Sequence, residues 1–306
     1  MKKFLVTLFL VIVINFTSQF SRTEEISGAV TEAKTIGNNE TLTVTTSGTV
    51  YLNTNDLISL SGTTSPTLDN SGEIINGSGE DGLTDGNNNK TVNFDSCTTC
   101  TITNSGTIRS HRDNAIRANN SSGLTITNSG SIEADAKQTI RGSGSSNIII
   151  TNSGTIKAEG GSSTIFFQEM NTGTFTNTGT ISASSEKTFN IAGGDSITIT
   201  NSGTITGIGR TLWLSESSNS TVTNESGGTI SATNQNDTGA LYACCGSGGI
   251  SNVNGEGAET NLTIVNEGSI TATSSGADAI NVTGIDNSTI TNSCLLYTSP
   301  SPRDRG

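Results

Sequence analysis

The chain has 306 residues, with 27 acids against 15 Lys and Arg, a formal net charge of −12, and only 14% of it charged. That balance excludes a nucleic-acid surface, which needs clustered positive charge, and a face for anionic membranes. Few aromatics and an excess of Gly, Asn, Ser and Thr exclude an ordinary helical domain and leave either disorder or a repetitive β fold.

Residues 1–21 read as an export signal. Lys2 and Lys3 precede an apolar run from Phe4 to Phe16, broken only by Thr7 and Asn15, and then comes a small, polar exit. The run is too short for an ordinary membrane-spanning helix. Export removes two lysines from the balance. With Lys2, Lys3, Arg303 and Arg305 set aside, 11 cations remain; with Asp304 set aside, 26 acids remain, so the body stands near −15. Residues 22–40 are expected to form an N-terminal cap on the repeats.

From residue 41 to 293 one phrase recurs: TITNSGTI at Thr101, TITNSGSI at Thr125, IITNSGTI at Ile149 and TITNSGTI at Thr198, with looser copies elsewhere. Its central residues are Thr46, Asn70, Asn104, Asn128, Asn152, Asn177, Asn201, Asn224, Asn266 and Asn292, most of them 24 or 25 residues apart. Steps of 34 before Asn104 and 42 before Asn266 mark insertions. Regular spacing of this kind decides against disorder. A second apolar pair precedes the Asn by 12 residues, as at Ile116/Ala118 and Ile140/Gly142, and a third comes after the turn, as at Ile132/Ala134.

Three short alternating stretches per period, with no helical segment between them, predict an all-β fold. It is a right-handed parallel β-helix (solenoid) of about ten rungs of roughly 24 residues. At one strand spacing per rung the rod is about 48 Å long. The corner Gly is expected to supply positive φ. Asn104, Asn128, Asn152, Asn177 and Asn201 are expected to form a hydrogen-bonded turn ladder.

Several motifs imitate known chemistry. A GxGxxG from Gly77 to Gly82 lacks the βαβ context of a dinucleotide site, so no cofactor is expected, and nearby Asp81 and Asp85 lack the spacing of calcium-binding nonapeptides. Cys97 and Cys100 form a CxxC, and Cys244 and Cys245 are adjacent, about five rungs away. That separation excludes a shared zinc site and leaves a local Cys97–Cys100 disulfide, other loop staples or free thiols open. His111–Arg112–Asp113 imitates a kinase triplet, but His111 is the only histidine and lies in a turn. The acids read as scattered, without carboxylate pairs at neighbouring rungs, which disfavours catalysis.

One outward column stands apart. In the second strand it reads Arg117, Arg141, Phe166, Asn190, Trp213, Tyr242 and Asn281. Arg, Trp and Tyr dominate binding hot spots, so Arg117, Arg141, Phe166, Trp213 and Tyr242 are the candidate ligand-binding residues. The bland alternative is that the insertion near Cys244 folds over Trp213 and Tyr242.

The phrase breaks after Ser293. The letters CLLYTSPSPRD resemble the conceptual translation of a transposase-type sequencing adapter, so residues 294–306 are expected to be adapter-derived and the natural protein to continue past Ser293. The signal-like start, the Asn–Ser–Gly–Thr–Ile rungs and the Thr/Asn-rich surface resemble passenger domains of bacterial autotransporters. That resemblance implies export, display at a Gram-negative outer membrane and a missing C-terminal membrane barrel. The expected function is an adhesin or structural stalk for a host-cell, glycan or neighbouring-cell surface ligand. The alternatives are a polysaccharide lyase or glycoside hydrolase on a β-helix, and a structural surface-layer or ice-binding protein. A regular Thr column would favour ice binding; the insertions and mixed outward residues count against it.

Overall fold

The computed structural model describes residues 21–53, 56–77, 90–161, 163–184, 187–233, 240–244, 259–273, 278–283, 285–294 and 296–298. The export-like residues 1–20, the stretch with Asp81 and Asp85, Cys245, and residues 299–306 lie outside them. Within the described residues the strands pair in parallel, and no helix occurs.

Successive strands pass in turn to three sheets. Sheet 1 takes the TITN strands, such as Thr101–Asn104 and Thr125–Asn128. Sheet 2 takes the strands after the turn, such as Thr107–Ser110 and Ser131–Ala134. Sheet 3 takes the third strand of each rung, such as Ile116–Arg117 and Ile140–Ser143, and Glu259–Thr260 pairs apart with Ile285–Asp286. Sheets 1 and 2 hold 11 strands each and sheet 3 holds 10, so the chain is a parallel β-solenoid. The expected count of about ten rungs agrees with these sheets, and residues 23–35 supply the first strand of each. Their chemistry differs from the later rungs. Glu24 and Lys34, which pair with Leu42 and Ile58 in the next rung, form a 2.9 Å ion pair where later rungs place aliphatics. A polar rung at an end of a solenoid shields the apolar column behind it.

Alternation dictates the core. Ile102 stacks on Ile126, Ile108 on Ile132 and Ile116 on Ile140, each fully buried. Burying one such side chain contributes about 1.5–3 kcal/mol. At mid-rod Phe175 meets Phe189 edge-on, with ring centroids 4.9 Å apart, and lies 5.9 Å from Phe167. The void beside them is about 10 Å³, too small to admit a ligand.

The three corners each solve the same problem, a buried polar backbone turning between sheets. At the first corner, Asn104 Nδ2 donates to Asn128 Oδ1 at 2.7 Å, to Gly106 O at 3.1 Å and to Ser131 O at 3.0 Å. The ladder runs from Asn70 through Asn128, Asn152, Asn177, Asn201, Asn224 and Asn266 to Asn292. Two expectations change here. The residue aligned with Asn70 is Val44, not Thr46, because the first-copy turn is longer. The glycine two residues after the Asn, such as Gly106, Gly130 and Gly154, does not have positive φ; at this corner Gly227, in the longer turn after Asn224, does. A Cβ on Gly154 would lie 2.1 Å from Gly130 O, so glycine is required for close approach of neighbouring rungs.

At the second corner a threonine precedes the apolar residue of sheet 3. Thr139 Oγ1 donates to Lys157 O at 2.6 Å, Thr164 to Ser182 O at 2.8 Å and Thr188 to Thr206 O at 2.7 Å. At the third corner Ser121 and Ser145 donate to Phe94 O and Ala118 O. Left-handed residues also recur there, at Ser96/Thr99, Asn120/Gly123, Glu169/Thr172 and Gly193/Ser196. One rung before Ser121 the same corner carries Cys97, joined by a disulfide to Cys100. Both cysteines are buried, so the sequence's open alternatives close in favour of a local bridge.

Candidate functional site

Strand pairing decides which outward residues share a column. In sheet 3, Arg117 pairs with Arg141, Arg141 with Phe166, Phe166 with Asn190, Asn190 with Trp213, Trp213 with Tyr242, and Tyr242 with Asn281. The candidate residues therefore stand in one unbroken line along the rod, at one strand spacing per step.

Their surroundings differ. Arg117 is committed: its Nε donates to Asp95 Oδ1 at 3.1 Å and its Nη2 lies 2.5 Å from Asp95 Oδ2. Asp95 also accepts from the Asn119 backbone amide, so this bidentate pair belongs to the turn after sheet 3. Arg141 is exposed, and Phe166 is half-buried beside it. Asn190 is only 6% exposed; its Nδ2 reaches Ser163 Oγ at 3.4 Å, while its Oδ1 accepts no hydrogen bond. The half-buried Trp213 indole lies under two cations, Lys187 Nζ at 4.0 Å and Arg210 Cζ at 4.7 Å from the ring centroid. Such contacts hold an aromatic ring in place. Trp213 is thus engaged by neighbouring cations of its own face. The insertion near Cys244 and the side chain of Tyr242 lie outside the described residues.

Sheet 2 carries a second cluster that sequence reading missed. Its outward column runs Arg109, Glu133, Lys157. Arg109 Nη1 lies 3.2 Å from Glu133 Oε2, and Arg109 Nη2 reaches Asp135 Oδ1 at 3.1 Å. His111 Nδ1 lies 2.5 Å from Asp135 Oδ2, and Lys157 pairs with Glu159. The acids are therefore less scattered than they read. Glu133, Asp135 and Glu159 sit on two adjacent rungs, and each is met by a cation or the imidazole. The hydrogen bond from Lys157 holds the Glu159 carboxyl below its usual range, and Glu159 in turn raises Lys157. The signal was present as Arg–Glu–Lys at a 24-residue spacing. Among the described residues no group of three or more His, Cys, Asp or Glu could hold a metal.

Compared with protein-family models, with curated proteins and with solved structures, the chain gives no significant match to any. The class it belongs to is therefore the one its geometry defines: a parallel β-solenoid with a different chemistry on each of its three faces.

Proposed function

We propose that the chain is an exported solenoid rod of the autotransporter-passenger kind, acting at a cell surface as an adhesin or stalk. It grips a glycan or protein ligand through the sheet 3 column. The observation that carries the binding site is the in-register line of Arg141, Phe166, Asn190 and Trp213. It combines an exposed cation with half-buried aromatic surface. Arg117 drops out of the contact set because Asp95 occupies it. A column of this kind repeats along the rod, so many weak contacts sum.

This reading keeps residues 294–306 as adapter-derived and places a membrane barrel downstream of Ser293. Genomic sequence past Ser293 tests that part: amphipathic barrel strands support it, and a stop codon within a rung or two ends it. For the binding part, Arg141→Glu/Phe166→Ala and Trp213→Ala variants are compared with the parent for adhesion to cells and arrayed glycans. At least a tenfold loss is expected. Unchanged adhesion by folded variants removes the column from the binding role.

A further inference from the structure

Sheet 1 presents a face unlike the other two. From Thr101 to Thr291 the last four residues of eight of its strands contribute two outward positions each, and of these sixteen all but Ile149 and Val265 are threonine. The longer strand Asp195–Asn201 adds one exposed acid, Asp195, beyond them, and Asp69 stands one rung before Thr103. None of the sixteen carries charge, in a chain of formal net charge −12. Pairing aligns them in two rows without a slip: Thr101 with Thr125 and Thr103 with Thr127, then Thr174 with Thr198 and Thr176 with Thr200. Register also holds across the longest insertion, where Thr221 pairs with Thr263. The extra residues fall between sheets 2 and 3, or between sheets 3 and 1, and none interrupts a strand of sheet 1. The mixed outward residues belong to sheets 2 and 3. Both features that counted against a regular threonine surface are thus segregated from this face.

The hydroxyls matter more than the count. At the second corner Thr139, Thr164 and Thr188 spend theirs on buried carbonyls. Of the fourteen threonines in these two rows none hydrogen-bonds through its hydroxyl to another described residue. Thr103, Thr127, Thr151, Thr174 and Thr198 are exposed. The surface therefore offers a two-row lattice of free hydroxyls and methyls. Its repeat is about 4.8 Å along the rod and about 6.7 Å along each strand. The Asn ladder runs along one edge of the sheet, and side-chain ladders of this kind oppose twist. The rod repeat lies close to the shorter oxygen repeat on a prism face of hexagonal ice, and the strand repeat falls somewhat short of the longer one. An uncharged face with free hydroxyls suits a neutral partner that is itself a flat lattice of donors and acceptors. Methyls between the hydroxyls restrict the nearest water molecules without competing for their hydrogen bonds.

We propose that the threonine face of sheet 1 binds crystalline ice through an ordered layer of water, a site separate from the sheet 3 column. The full chain is tested by partition into a slowly growing ice hemisphere and by thermal hysteresis. Folded protein is expected to enter the ice and to shape crystals. Thr127→Lys/Thr176→Lys places a bulky charge in each half of the lattice and is expected to lower hysteresis at least tenfold with an unchanged circular dichroism spectrum. Lys157→Ala, on sheet 2, is expected to leave it unchanged. Exclusion of the folded parent from ice overturns the proposal, as does full activity of the lysine variant. Should that variant unfold, Thr127→Val/Thr176→Ser supplies the same comparison with little change in volume. Retention on insoluble chitin or cellulose that the lysine variant abolishes, without ice entry, overturns it and assigns the face to a crystalline glycan.

Discussion

Gly154 shows how little space separates neighbouring rungs. With Gly130 O only 2.1 Å from a Cβ at this position, Gly154→Ala forces two backbones apart, and the cost is expected to exceed about 3 kcal/mol. Thermal unfolding measures it as a large drop in Tm. Asn152→Ala acts differently: it takes the donor from the buried Asn177 Oδ1 and one of three acceptors from Asn128 Nδ2, and is expected to cost about 1–3 kcal/mol in urea titration. Glu169 holds φ near 53° without the help of a glycine or asparagine, so Glu169→Gly is expected to stabilise by about 0.5–1 kcal/mol. Of these three residues, sequence reading found the Asn for the right reason and the Gly for the wrong one. A short period fixes that a corner must turn. It does not say whether φ or interrung contact limits the residue there. Glu169 gave no signal, because left-handed backbone at a non-glycine residue is imposed by the strands on either side.

Each sheet is an element with its own outward chemistry. In sheet 2 the Lys157–Glu159 pair is exposed, so it contributes little and only in a defined pH window. Glu159 titrates below its ordinary 4.5, so its contribution is present above that value and is lost as pH falls through the lowered one. Lys157 titrates above its ordinary 10.5, so its share is present below that value and is lost as pH rises through the raised one. Stability is expected to be flat between about pH 6 and 9, with shallow declines outside, read as Tm against pH. At the third corner Cys97 occupies the place of Ser121, and Cys100 that of Leu124. Cys97→Ser/Cys100→Leu therefore restores the corner of the following rung. It is expected to cost no more than about 2 kcal/mol, the chain-entropy value for so short a loop. The three strands per period were legible from alternation alone. The cation cover over Trp213 was not, because Lys187 reaches that ring from the preceding rung, a contact that only strand register brings about.

The whole molecule is a one-dimensional stack, and most of its contacts join one rung to the next. A lesion in one rung is therefore expected to weaken both neighbouring interfaces and to leave distant rungs protected in hydrogen exchange. Sequence alone determined the solenoid, its period, its inward columns and its Asn ladder, because each rests on a repeat that any one copy displays. Tertiary structure decided which outward residues belong to the same face and which of them are already engaged. Arg117 was a candidate until Asp95 met it. The insertions and mixed outward residues counted against a regular threonine column until pairing aligned the threonines in two rows of one sheet. Composition counts side chains one at a time, whereas a face is a property of register. Register is fixed only when the buried isoleucines of one rung settle on those of the next.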